Sequence, residues 1–295
     1  MMHEKQSCLV FINGKYLPME EARVSVEDRG FQFADGVYDV IRCYRGKPFA
    51  LDLHLQRLQN SAAGLSIPMP YTLEEFKDIC TQLLKQNPVD QGTIYIQITR
   101  GFSMRTHSFP SESLQPTTVV YVRSINPIGP RLRKEGVYVI TLPDDRWNHC
   151  NLKTICLLPN VLAKEEATRR GANEALLYGP GGIVYEGSTS NVCFIKDGVL
   201  CTHPLTNKVL PGISRHVLLE LAREGGIPVE EVPRTVTEFE EADEVFLTST
   251  TREVLPVTRI DDTVITGGKA GPMTQQLYEA FLDRAAKEVG IESCY

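Results

Sequence analysis

The sequence predicts a two-domain chain of mixed helix and strand, α+β or α/β in class. The chain has 295 residues, enough for two medium domains with well-buried cores. Runs with helical spacing alternate with short β-branched and aromatic runs, but without the strict strand–helix–strand rhythm of a doubly wound sheet. One stretch discourages regular structure outright: Asn126-Pro127-Ile128-Gly129-Pro130, where prolines and a glycine sit together. The expected division is a smaller amino-terminal domain over 1–125, a linker over 126–135, and a larger carboxy-terminal domain over 136–295 that carries Lys153.

In order, Cys8-Leu9-Val10-Phe11-Ile12 is a short apolar strand, and Asn13-Gly14 marks a tight hairpin turn. Val24-Ser25-Val26 is a second strand candidate. The glycine-punctuated stretch 28–36 reads as a loop leading into strand 37–44. Arg45-Gly46-Lys47 turns the chain into a further strand at 48–50. Leu51, Leu55, Leu58, Ala62 and Leu65 recur at helical spacing. A second helix over 72–85 opens with Thr72 as its cap, has Glu74 and Glu75 in the first turn and ends near Lys85. Strands follow at 92–99 and 117–123, joined by a loop through Arg105 and His107. Beyond the linker come strand 137–142, the Lys153 segment at a strand-like end, helix 158–170 and strand 174–178. Strands at 183–186, 192–196 and 199–202 are separated by Gly179-Pro180-Gly181-Gly182 and Lys196-Asp197-Gly198. Helix 214–224, strand 244–248 and helix 273–288 complete the list, the last with Leu277, Phe281 and Ala285 on one face.

Composition narrows the function class. The chain is 42% hydrophobic and 23% charged, as in an ordinary globular protein, and its formal net charge of −6 argues against broad nucleic-acid or acidic-membrane binding. No apolar run is long enough to span a bilayer, and the start lacks an apolar signal core. The eight cysteines are scattered without a CxxC pair, which reads as free thiols in a reducing cytoplasm.

The chemistry-bearing stretch is 151–191. It offers Lys153 and Glu186, each on an ordered element. A lysine can form a Schiff base with an aldehyde cofactor, and a carboxylate can keep that cofactor's pyridine nitrogen protonated. Gly212-Ile213-Ser214 precedes a helix, whose first N–H groups favour an anion. Ser249-Thr250 adds hydroxyl and amide donors at a strand end. Bland readings stand beside these: Ser214 as an N-cap, Thr250 as a strand terminus, Arg105 and His107 as charges on an exposed loop. Lys164, mid-helix beside Glu165 and Glu166, is a decoy for Lys153.

The motif Asp28-Arg29-Gly30-Phe31-Gln32-Phe33-Ala34-Asp35-Gly36-Val37-Tyr38, with Lys153 and Glu186-Gly187-Ser188-Thr189-Ser190-Asn191, resembles the fold-type-IV pyridoxal-phosphate aminotransferases. That family includes branched-chain aminotransferases, D-amino-acid aminotransferases and aminodeoxychorismate lyases. The resemblance runs from about residue 9 to residue 285, and Arg105-Thr106-His107 bring it nearest the D-amino-acid aminotransferase branch. It implies pyridoxal 5'-phosphate at the domain interface, bound covalently by Lys153 with Glu186 on its ring nitrogen. It puts Arg57, Ser214, Ser249 and Thr250 on the phosphate with the Ile213 backbone, and Leu210 against the ring. Ser188, Thr189, Ser190 and Asn191 would supply hydroxyl and amide groups to the phosphate and ring side.

The resemblance also implies a clamp for a substrate α-carboxylate made of Tyr38, Arg105 and His107, with the Arg105 loop reaching the neighbouring subunit's site in a homodimer. The implied activity is transamination between D-alanine, D-glutamate or D-aspartate and 2-oxo acids such as 2-oxoglutarate or pyruvate. The alternatives on the same scaffold are an L-branched-chain transaminase, an R-selective amine transaminase, a lyase, or a binding protein without turnover. Arg146 and His149, flanking Trp147, are candidates to line the site. Asp39 stands where relatives often carry Glu, and Thr106 where a small apolar residue is expected.

Overall fold

In the computed structural model, residues 8–110 and 114–295 are described and form two compact units. The first comprises residues up to Asn126 together with Leu152–Cys156 and Tyr295; the second comprises Pro127–Asn151 and Leu157–Cys294. Residues 1–7, read above as lacking a signal core, lie outside the described residues. No helix among the described residues is long and apolar enough to cross a membrane, and the eight cysteines are free thiols.

The first unit is a six-stranded antiparallel sheet with its two long helices packed on one face. Its strands are β1 (Leu9–Ile12), β2 (Lys15–Pro18), β3 (Gly36–Tyr44), β4 (Lys47–Pro48), β5 (Gln91–Thr99) and β6 (Thr117–Ser124), in the order β2-β1-β6-β5-β3-β4. Asn13 and Gly14 join β1 to β2 with φ of 46° and 86°, a left-handed pair that matches the strand twist. Helices α1 (Arg29–Phe33), α2 (Leu51–Gly64) and α3 (Leu73–Gln86) complete the unit. Thr72 and Glu75 close a capping box at the start of α3. Alternation along the strands sends Val37, Ile41, Ile94, Ile96, Ile98 and Val120 onto Leu55, Leu58, Phe76 and Leu83. Each such side chain contributes roughly 1.5–3 kcal/mol of burial. The same alternation leaves Tyr38 on the opposite face, stacked at 5.7 Å on Tyr95.

The second unit is built on a ten-stranded mixed sheet. Helix α4 (Pro130–Glu135) leads into β7 (Val137–Pro143); α5 (Leu158–Arg169), β8 (Glu174–Tyr178), β9 (Ile183–Gly187), β10 (Asn191–Lys196) and β11 (Val199–Thr202) follow. Then come α6 (Ile213–Glu224), β12 (Val229–Glu231), β13 (Arg234–Thr235), α7 (Val236–Glu240), β14 (Glu244–Ser249), β15 (Glu253–Ile260), β16 (Thr263–Val264) and α8 (Pro272–Val289). The strand order is β12-β11-β10-β14-β15-β7-β8-β9-β13, with β16 on β15. β7 runs parallel to β8 and β15, so helix α5 connects parallel neighbours.

Several elements differ from the sequence reading. Val24-Ser25-Val26 is not a strand: Asp28 N bonds back to Ser25 O at 3.0 Å, and both valines are exposed. The stretch 28–36 is not wholly loop, because Asp28 caps a helical turn by accepting from Gly30 N at 2.8 Å. The strand expected at 48–50 is only the pair Lys47–Pro48, with Ala50 in the left-handed region at the start of α2. Residues 130–135 of the expected linker are helical. β12, β13, β15 and β16 carry no strong local signal, and β15 contains Pro256, which masks a strand from pattern reading; α7 had one that the sequence reading missed, the Thr235–Glu238 capping box. Lys153 lies in an irregular segment rather than at a strand end, and that segment belongs to the first unit. Its Lys153 carbonyl accepts from Tyr38 N at 3.0 Å, and Ile155 N bonds Gly36 O at 3.1 Å.

Candidate active site

The first unit brings Lys153, Tyr38, Asp39, His54 and Arg57 together. Lys153 is pinned through its backbone: its N–H donates to Ser61 Oγ at 3.0 Å. Its Nζ stands 4.3 Å from the centroid of the Tyr38 ring, half-buried. On the core side of β3, Asp39 is fully buried and accepts from Arg57 Nε at 2.9 Å, Arg57 Nη2 at 2.8 Å and His54 Nδ1 at 2.7 Å. Burial works to raise the Asp39 pKa, but Arg57 and His54 outweigh it and hold the carboxyl well below the usual range. Burial lowers the His54 pKa; Asp39 opposes that shift, and Arg57 and Lys153 add to it. Arg57 is therefore not a surface residue of α2. It is 7% exposed and fixed bidentately.

The loop after β5 carries Arg105 and His107, both exposed and both set against one ring. The Arg105 guanidinium lies 4.9 Å from the Phe33 centroid, and the His107 ring lies 5.3 Å from it. Thr106 faces Arg29 through its carbonyl, which accepts from Nη1 at 2.7 Å.

The second unit organises Glu186. One carboxylate oxygen accepts from Arg146 Nη1 at 2.5 Å; the other accepts from Asn191 Nδ2 and Leu210 N, each at 3.0 Å. Arg146 also donates to Asp144 Oδ1 at 2.9 Å and to Lys208 O at 3.1 Å. Burial would lower the Arg146 pKa, but Glu186 and Asp144 push it up, so it stays cationic. Asn191 Nδ2 further donates to Leu210 O at 3.0 Å, which ties the Leu210 turn to β10. Gly212 precedes α6 with no capping side chain, and a Cβ there would lie 2.0 Å from Asn191 Oδ1. Ile213 and Ser214, in the first turn of α6, are buried, and Ser249 and Thr250 are half-buried at the end of β14. Ser190 Oγ and Thr248 Oγ1 are buried and meet no hydrogen-bond partner among the described residues.

Ser188 and Thr189 do something the sequence did not suggest. Their hydroxyls donate to Glu174, Thr189 Oγ1 at 2.6 Å, and Arg252 Nη1 donates to the same carboxylate at 2.5 Å. Burial raises the Glu174 pKa, but Arg252 and the two hydroxyls prevail and lower it. His149 is exposed, edge-on to Trp147 at 5.1 Å. Lys164 donates to Asn173 O, as a decoy would. Sequence reasoning missed His54, Glu174 and Arg252. His54 had a usable signal, since it lies one helical turn before Arg57.

Comparison with known proteins gives the family. The model of the class IV amino-transferase family matches residues 36–260. A D-alanine aminotransferase of Staphylococcus epidermidis is 44% identical over 272 residues, 92% of this chain and 96% of its own. One from Listeria monocytogenes is 42% identical over 283 residues, 95% of this chain and 97% of its own. A T.th. branched-chain amino acid aminotransferase, solved with pyridoxamine 5'-phosphate, superposes with a TM-score of 0.88 at 30% identity, covering 95% of each chain. The Escherichia coli branched-chain enzyme gives 0.89 at 26% identity, covering 96% of each chain. With its lysine, its held carboxylate and its glycine-led helix start within the matched span, the chain belongs to the class IV aminotransferases.

Proposed function

We propose that this aminotransferase is a D-amino-acid transaminase. It moves the amino group between D-alanine, D-glutamate or D-aspartate and 2-oxo acids such as 2-oxoglutarate or pyruvate, with pyridoxal 5'-phosphate. The observation that carries the reading is the pairing of Arg105 and His107 on the Phe33 ring, two donors presented side by side on one loop. A simple amine would leave both without a carboxylate partner. The D-alanine aminotransferases at 42–44% identity support the same assignment.

The residues present fit the cofactor. The buried orphan hydroxyl of Ser190 and the Cβ-intolerant Gly212 ahead of α6 mark a polar cradle. Arg57, Ser214, Ser249 and Thr250 would hold the phosphate with the Ile213 N–H, Leu210 would pack on the ring, and Ser190 and Asn191 would border it. When bound, pyridoxal phosphate supplies an aldehyde for the amino group and a ring that accepts the electron pair released at the substrate Cα. Lys153 Nζ holds the cofactor at rest and, once freed, moves the proton at the substrate Cα. Arg146, Asn191 and the Leu210 N–H hold the Glu186 carboxylate and would orient it toward the pyridine nitrogen. Tyr38, Arg105 and His107 take the α-carboxylate, Arg105 with a bidentate fork. Carboxylate placement selects the enantiomer, because the Cα–H must face Lys153 whichever isomer binds.

We also infer a cytoplasmic homodimer. Exposed Val26, Phe31, Phe102, Met104 and Phe109 lie on α1 and the adjoining loops, an apolar surface of the kind subunit contacts cover. The test is a half-reaction followed through the cofactor's absorption spectrum. Conversion to the amino form by D-alanine, and not by L-alanine or L-leucine, supports the reading. Conversion by L-leucine alone would make the chain a branched-chain transaminase, the activity named for the solved structures above.

A further inference from the structure

We propose that Arg29 is a positioning residue for the substrate carboxylate. From a single helical turn it holds the backbone around His107, while Phe33 on that turn sets Arg105 and His107. This rests on the clamp reading just given.

Helix α1 is a fixed platform. Asp28 caps it at Gly30 N and accepts from Thr99 Oγ1 at 2.9 Å, and a Cβ on Gly30 would meet Thr99 Cγ2 at 2.3 Å. Arg29 and Phe33 are four residues apart and so share a face; the guanidinium lies 5.0 Å from the ring centroid. Arg29 is 3% exposed. Its Nε donates to Asp35 Oδ2 at 2.8 Å, and its Nη1 donates to Thr106 O at 2.7 Å and more weakly to Ser108 O at 3.5 Å. Both carbonyls flank His107. Asp35 is shared with Arg100 at the start of the loop, at 2.7 and 2.9 Å, and Phe109 at its far end covers Arg100 at 3.7 Å. An irregular loop has no ladder to hold it, so these contacts decide where Arg105 and His107 point.

A loop held only at its ends would still bring Arg105 near a substrate, but in several orientations. Arg29 selects among them through the carbonyls. Losing that grip should weaken carboxylate binding without altering proton transfer at Lys153, which has its own anchors on Ser61 and Tyr38.

The experiment uses holoenzyme and steady-state kinetics with D-alanine for Arg29→Lys, Phe33→Leu, Arg105→Ala and the Arg29→Lys/Arg105→Ala pair. Lysine keeps the charge beside Asp35 but cannot also reach Thr106 O. Arg29→Lys should raise KM about tenfold or more with kcat within about threefold, on the scale that small misplacements produce. The pair should fall short of the product of the two single effects, because Arg29 acts through the clamp and only its hold on His107 remains to be lost in Arg105→Ala. Additive effects, or an unchanged KM in Arg29→Lys beside a raised KM in Arg105→Ala, overturn the proposal and leave the clamp standing. An unchanged KM in Arg105→Ala overturns the clamp reading, and this inference with it. If Arg29→Lys does not fold, Phe33→Leu decides by the same comparison.

Discussion

Replacing Asp39 with asparagine should cost stability and cofactor affinity together, with a pH signature that separates this pair from ordinary surface charges. Asparagine keeps the shape but offers one acceptor oxygen, and it turns an amide toward a guanidinium that has no solvent around it. Arg57 and His54 make three bonds of 2.7–2.9 Å to the native carboxylate, in a place with no exposure. Removing one partner of such a buried pair costs about 3–5 kcal/mol. At about 2–4 °C per kcal/mol for a chain of this size, Tm should fall by on the order of 10 °C. Because the folded-state pKa of Asp39 is depressed, its contribution is complete above the unfolded value near 4 and is lost as pH falls through the folded value. The gap in Tm between wild type and Asp39→Asn should therefore not narrow between pH 8 and pH 5 and should narrow only below about pH 4; it can grow below about pH 6.5, because the variant also lacks the carboxylate that opposes the lowering of the His54 pKa. His54 acts in the other direction. Its lowered pKa means that the wild-type fold loses stability as pH drops below about 6.5, where the unfolded histidine takes up a proton first. Thermal unfolding by circular dichroism across pH 3–8, with a spectral titration of the cofactor, reads both. An unchanged Tm, or a gap that narrows between pH 8 and pH 5, would refute the account of Asp39 as the anion that fixes Arg57.

Two further outcomes follow from the site. Lys153→Ala should abolish transamination and the covalent cofactor absorbance while leaving Tm within a few degrees, since the segment is held through backbone bonds to Ser61, Tyr38 and Gly36; normal turnover in that variant would end the mechanism. Gly212→Ala places a Cβ 2.0 Å from Asn191 Oδ1 and must move either the start of α6 or the residue that orients Glu186. Strain of about 1–3 kcal/mol should weaken cofactor binding by roughly ten- to a hundredfold in a spectral titration, and wild-type affinity would show that the approach is relieved elsewhere.

Local pattern in the sequence carried most of the secondary structure. The alternation in β3 and β5, the cap and acidic first turn of α3, and the Asn13-Gly14 turn each announce an element within a few residues. What failed to announce itself depends on partners far along the chain. Val24 and Val26 look like strand residues, but a strand needs a neighbour, and the chain there turns at Ser25 instead. α1 hides behind Gly30 and Gly36 because its stability comes from the Asp28 cap and its fit against Thr99. Lys153 and Glu186 were singled out through the family resemblance; that Glu186 is buried and held by Arg146, Asn191 and the Leu210 N–H is visible only in the fold. What fixes Arg57 is Asp39, eighteen positions earlier, which accepts from it, and no local pattern encodes that pairing. Ser188 and Thr189 looked like donors for a bound anion. Their hydroxyls serve Glu174, fourteen and fifteen positions away, and no periodicity encodes that.

Four buried or nearly buried carboxylates, two in each unit, share one pattern. Asp35 takes Arg29 and Arg100, Asp39 takes Arg57 and His54, Glu174 takes Arg252 with two hydroxyls, and Glu186 takes Arg146 with Asn191 and a backbone N–H. Net stability is a poor explanation for them, because desolvating two charges can exceed what their attraction returns, and apolar side chains of equal volume would do as well. What an apolar replacement cannot supply is direction. Each carboxylate accepts from at least two donors and so fixes an arginine, an amide or a loop carbonyl to within one hydrogen-bond geometry. Three of these held groups, Arg57, Glu186 and the Arg105–His107 loop, are those assigned to the phosphate, the ring nitrogen and the substrate carboxylate. A reaction that develops charge at a substrate carbon gains when the surrounding dipoles are oriented in advance and need not reorganise. The buried pairs are best understood as orienting devices, and the loss expected on removing one should appear in binding and turnover as well as in Tm.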